Sequence, residues 1–137
     1  MGKSITVNTG ERIEVRNTDG ETMGFFYFNP ADPDIMRRCE EAQKKIGELT
    51  EGIQDNPTAE ELSKVNLGLR DQMAHILGEG AADTLFRYNS PLALMADGTL
   101  YGLYVFDIIY DFIKAELQER AEKSRQRADK YTAKYQS

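Results

Sequence analysis

From residue 35 to residue 53 the apolar side chains of Ile35, Cys39, Ala42, Ile46, Leu49 and Ile53 fall four, three, four, three and four positions apart. That is the period of an α-helix, and it places all six on one face, whereas a strand would split them between opposite sides. A stripe of this kind must be buried against another element. The neighbouring residues supply the helix ends: Asp32 is a capping residue, Pro33 suits the first helical position and Asp34 complements the positive end of the dipole. Gly52 and Asn56-Pro57 close the segment. Thr58-x-x-Glu61 is then a capping box that opens a second helix, on which Leu62, Val65, Leu69, Met73 and Ile76 repeat the pattern.

The rest of the chain supplies partners for these stripes. Ile5 and Val7 alternate with Thr6 and Asn8, Ile13 and Val15 alternate with Glu14 and Arg16, and the run from Met23 to Phe28 is rich in aromatic rings. Turn signals at Thr9-Gly10 and Asp19-Gly20 separate the runs, which predicts a small antiparallel sheet of two or three strands. A bare hairpin is barely stable in water, so its apolar face requires the helices. After Ile76-Leu77 the pair Gly78 and Gly80 gives a permissive turn, at least one of the two being expected at positive φ. Residues 81–86 start a short helix that Pro91 stops, and a longer apolar helix runs on from Asp97-Gly98. There Leu103, Tyr104, Phe106, Ile108, Ile109, Phe112, Ile113 and Leu117 cover more than one face, as a central core element would.

The expected fold is therefore α+β and mainly helical: a small N-terminal antiparallel sheet of two or three strands on a bundle of three to four helices, with an extended C-terminal helix. Residues 1–117 make one domain, because the large aliphatic residues stop at Leu117. Residues 118–137 carry six basic side chains against three acidic ones, so this tail is +3 and the domain −9 of the total −6. The polarity favours attraction between subunits, weakened by salt, or a solvated helix in which Glu119/Lys123 and Arg125/Asp129 pair at i,i+4.

Charge and residue content exclude several kinds of chemistry. A net −6 argues against general nucleic-acid binding, which rests on Lys and Arg neutralising phosphates. One cysteine, Cys39, and one histidine, His75, exclude an internal disulfide and the usual Cys/His zinc frameworks. No apolar run approaches the ~20 residues of a membrane helix and no signal-peptide core opens the chain, so the expected location is the cytoplasm. His75 and Glu79 share a helical face without a second histidine, and Asp107 and Asp111 read as the wet side of an apolar helix, with Lys114 near Asp111. Ser90 precedes a proline and lacks a histidine partner. No catalytic, metal or cofactor-binding residues are expected.

What remains is surface. Phe25, Phe26, Tyr27 and Phe28 place rings on both faces of one strand, more than a one-sided sheet needs, and Tyr101, Tyr104 and Tyr110 surround the long apolar helix. With the basic tail, they make an interaction protein the better reading than an enzyme. The candidate partner-binding residues are Phe26, Phe28, Tyr101, Arg120, Arg125, Arg127, Tyr131 and Tyr135.

The stretch from His75 to Leu117 has an order of its own: a helix ending "ILGEG", a short "ADTLF" segment, a polar loop and a closing apolar helix. This order resembles the tail assembly chaperones of long-tailed bacteriophages, and the likeness covers roughly the second half of the chain. The resemblance implies a non-catalytic protein of the bacterial host cytoplasm that needs no cofactor. It would coat the tape-measure protein before the tail tube assembles, with tape-measure and tail-tube proteins as partners, and would form a homo-oligomer. Two other readings compete. A connector or tail-completion protein would be incorporated in finished particles, and a small ligand-binding domain would need a pocket around Asp107, Asp111 and His75.

Overall fold

The computed structural model describes residues 2–8, 10–29, 32–53 and 55–135, the last by its backbone alone. Two antiparallel strands, β1 (Glu11–Arg16) and β2 (Thr22–Phe28), precede four helices, α1 (Asp34–Glu51), α2 (Ala59–Leu77), α3 (Glu79–Leu85) and α4 (Tyr101–Tyr135). The protein is mainly helical α+β. The sheet stops at two strands: Ile5 and Val7, read as strand-forming, lie outside regular structure and are 89% and 65% exposed. Their alternation is real, yet among the described residues no strand sits beside them to accept the ladder.

The hairpin turns around one side chain. The Asn17 carboxamide oxygen accepts from the backbone N–H of Asp19 at 3.0 Å and of Glu21 at 2.9 Å, and Gly20 takes a positive φ of 82°. In the ladder Ile13 lies opposite Phe26 and Val15 opposite Gly24, whereas Arg12 faces Tyr27 and Glu14 faces Phe25. One face is therefore apolar and packed, the other polar with two exposed rings. On the exposed face the Arg12 guanidinium stands 4.4 Å from the centre of the Phe25 ring.

Each long helix buries one stripe. α1 buries Ile35, Cys39, Ala42 and Ile46, and α2 buries Val65, Leu69, Met73 and Ile76. α4 buries Val105, Phe106, Ile109 and Ile113, so it shares the core equally with the other two helices and is no more central than they are. Leu62, at the start of the second stripe, stays exposed, because it precedes the point where α2 comes under cover. Phe26 and Phe28 close the core from the sheet, Phe28 with its ring 5.8 Å from that of Phe112.

Local chemistry sets the ends of these helices. Asp32 accepts the Asp34 N–H at 2.9 Å ahead of α1, and the Thr58 hydroxyl accepts the Glu61 N–H at 3.1 Å ahead of α2. Between α2 and α3 only Gly78 turns, at φ 96°; Gly80, grouped with it as a turn residue from the sequence, lies inside α3. Four of the seven residues of α3 are buried, among them Ala81 and Ala82, which let it approach α2 closely. At Gly24 an added Cβ would lie 2.8 Å from Thr84 Cγ2, so glycine is what admits α3 against β2.

Asp97-Gly98 does not begin the last helix. Met95 donates to the Thr99 carbonyl at 2.8 Å, Gly98 to the Met95 carbonyl at 2.9 Å, and Leu94 bridges Leu100, making a tight turn with Gly98 at φ 86°. α4 starts only at Tyr101, where the N–H groups of Tyr101 and Gly102 are taken by the Ala93 and Pro91 carbonyls at 2.7 and 2.8 Å. From there it runs unbroken for 35 residues, about 50 Å.

Two substitutions separate the glycines. Gly78→Ala should cost about 1–3 kcal/mol, because φ 96° with ψ 162° is a region in which a side chain is strained. Gly80→Ala, helical and facing open space, should gain up to about 1 kcal/mol. Urea titration of both variants is the check, and equal effects would contradict the turn described above.

Candidate functional site

An open concavity of about 600 Å³ lies where the end of the hairpin, the 88–96 loop and the first turns of α4 meet. Val15 and Met23 wall it from the sheet, Leu94 and Met95 from the loop, and Tyr104 and Ile108 from α4. It exists because α4 is apolar on more than one face: the stripe of Val105, Phe106, Ile109 and Ile113 turns to the core, and Tyr104 and Ile108 are left on the groove side. Leu94 is 72% exposed, Tyr88 66% and Ile108 48%, a contiguous apolar surface of the kind that monomers seldom leave uncovered. The sequence reading missed Tyr88 and Leu94. The available signal was the apolar run from Leu92 to Met95 a few residues after Tyr88, in a loop where such side chains have no helix or strand face to turn inward.

Tyr101 is the one candidate partner-binding residue that lines this groove, and it is already engaged. Its hydroxyl donates to the Leu85 carbonyl at 3.1 Å, and its ring meets Phe86 edge-on at 6.1 Å. Burial first, and then neighbouring Tyr104, push its phenol above the ordinary tyrosine value, against a lowering contribution from Asn89. Tyr101 thus fixes the floor of the groove. Phe26 and Phe28 are buried core and cannot meet a partner; the strand's alternation puts Phe25 and Tyr27 outside instead. The basic tail stays apart from the groove. Arg120 pairs with Glu11 of β1 and lies 4.0 Å from Glu116, Arg125 pairs with Glu122 and not with Asp129, and Lys123 holds Glu119 at 3.1 Å. Arg127 makes no ion pair among the described residues, Tyr131 is exposed, and the Tyr135 side chain lies outside them.

The polar residues weighed for chemistry do not converge. His75 Nε2 lies 2.9 Å from Glu41 Oε2, tying α2 to α1. That contact first, and then Arg37, hold the Glu41 carboxyl below its ordinary value. Asp107 lines a separate cavity of about 230 Å³ with Cys39, Gln43 and Tyr110, to which neither His75 nor Asp111 contributes. Burial raises the Cys39 thiol, which disfavours its nucleophilic form. The Ser90 hydroxyl donates to Asn66 at 3.1 Å and accepts the Leu92 N–H at 3.2 Å, a turn-capping role. Among the described residues no group of three or more His, Cys, Asp or Glu could hold a metal ion, and no helix is long and apolar enough to cross a membrane.

Set against known proteins, the chain matches no family model, no curated protein and no solved structure.

The exposure of residues 121–134 gives a direct expectation for the tail. Among the described residues, truncation after Leu117 removes no buried side chain; it takes away the Arg120–Glu11 contact and surface pairs within the helix worth about 0.3–0.5 kcal/mol each. The truncated protein should therefore unfold cooperatively at nearly the urea midpoint of the full chain. Loss of the folded baseline would place the tail in the core.

Proposed function

We propose that this chain is a non-catalytic assembly chaperone of the phage-tail kind, which holds an apolar helical segment of a tape-measure protein in the groove between the hairpin, the 88–96 loop and α4. The observation that carries the reading is the groove itself: some 600 Å³, open, and walled by Leu94, Ile108, Tyr104 and Tyr88 with Met23 and Met95 beside them. Methionine is unbranched and polarisable, so a surface containing it adapts to clients of differing sequence. A long apolar client presents many such segments in turn. The domain's −9 charge draws in segments with basic flanks, and the order of elements from His75 to Leu117 is the one that resembles these chaperones. In this reading tail-tube protein is a second partner, the protein oligomerises in the bacterial host cytoplasm, and no cofactor or turnover is involved.

The test is calorimetric titration of the full-length protein with synthetic helical segments of a tape-measure protein encoded beside it. Each large apolar side chain removed from the walls of such a groove is worth about 1.5–3 kcal/mol, so Leu94→Asp with Ile108→Asp should weaken binding by well over tenfold at unchanged helicity. Undiminished binding by the double variant would move the site elsewhere. No binding of any segment by the wild-type protein would remove the chaperone reading.

A further inference from the structure

The two edges of the sheet are treated differently. On β2 two of the three outward carbonyls are covered: Thr84 Oγ1 lies 3.3 Å from the Phe25 carbonyl and Arg87 donates to the Met23 carbonyl at 3.1 Å, while among the described residues no bond outside the ladder reaches that of Tyr27. Backbone groups alternate in direction along a strand, so Gly24, Phe26 and Phe28 are the residues that face β1, and they pair with Val15, Ile13 and Glu11. Arg12 and Glu14 consequently turn their N–H and C=O groups away from the sheet. Among the described residues no hydrogen bond outside the ladder reaches either backbone. Ile13 and Val15, which point toward the helical layer, are only half-buried on this side. The sheet is short of a strand at β1.

A segment of matching pattern lies just upstream. Ile5 and Val7 alternate with Ser4, Thr6 and Asn8, and both are left in solvent. The segment does not reach the free edge within its own chain. Gly10 sits so close to the end of β2 that an added Cβ would be 2.7 Å from the Phe28 carbonyl oxygen, and its N–H is taken by the Asn8 side chain at 3.0 Å. The chain therefore leaves β1 alongside Phe28 and Asn29 and not back along Arg12 and Glu14.

We propose that the Ser4–Asn8 segment of one copy adds as a third strand to the free β1 edge of a second copy. The occupant is a second copy because the unpaired strand pattern and the uncovered edge occur on the same chain in equal number. The binary pattern also agrees: Ile5 and Val7 take the face of Ile13 and Val15 and complete their burial, while Ser4, Thr6 and Asn8 lie on the solvent side with Arg12 and Glu14. Any other extended peptide on this edge would leave two β-branched side chains of the same chain in water. The inference is independent of the groove.

Light scattering and amide hydrogen exchange on the full-length protein test it, with an Ile5→Asp, Val7→Asp double variant as comparison. Both substitutions fall outside the folded core, so the variant keeps its fold. The wild-type protein should reach at least twice its monomer mass as concentration rises, and the Arg12 and Glu14 amides should slow in step. The double variant should stay at monomer mass with both amides fast. A wild-type protein that is monomeric throughout overturns the proposal. So does association that survives both substitutions, or protection of the two amides that ignores concentration, which would mean the segment folds back on its own chain.

Discussion

Everything in this molecule depends on three helical stripes meeting the two inward rings of one strand. α1, α2 and α4 each bring four buried side chains, and it is the packing of these faces more than propensity that stabilises the helices. Phe26 and Phe28 fill the remaining side of that core, with Phe28 against Phe112 of α4. That contact, with the bonds from Thr84 and Arg87 to the Phe25 and Met23 carbonyls, holds the hairpin, which as a two-stranded ribbon is barely stable by itself. Register then follows from burial: a slip by one residue would put Phe25 and Tyr27 into the core and Phe26 and Phe28 into solvent.

The open surfaces are what this arrangement leaves over. α4 is apolar around more of its circumference than one core can cover, so Tyr104 and Ile108 are displaced toward the 88–96 loop, where Leu94 and Tyr88 join them. Beyond Leu117 the helix has nothing large to bury and continues because it is already nucleated, supported by Lys123–Glu119 and Arg125–Glu122 at helical spacing. Arg120 is the exception among the tail cations, since its pairing with Glu11 ties the helix to the start of β1.

Periodicity carried most of the fold, because the residues that set it act locally. The stripe placed at Ile35–Ile53 is buried as far as Ile46, with Ile53 past the end of α1, and the stripe from Val65 to Ile76, the Thr58 cap and the Gly78 break are where spacing and residue type placed them. Misreadings fell where a distant contact decides. Ile5 and Val7 have strand character but no neighbouring strand among the described residues, and Leu62 continues a stripe past the cover above it. Asp97-Gly98 resembles a helix start and is a turn, because Met95 and Thr99 close it first. Val105 was absent from the sequence-derived core although it is buried, since the broad apolar face of its helix hid which side turns inward. The groove was the least legible feature. Its walls come from three segments with no shared motif, and only packing brings Met23, Leu94 and Ile108 together.

The core depends on β2 turning alternate rings into the helical layer, and a pair of substitutions on adjacent residues tests that most directly. Phe28→Ala removes a buried ring and should cost about 3–5 kcal/mol in urea unfolding, enough to threaten the fold. Tyr27→Ala removes an exposed ring from the other face and should cost less than about 1 kcal/mol. Equal losses at the two positions, or a tolerated Phe28→Ala, would contradict the register and with it the core described here.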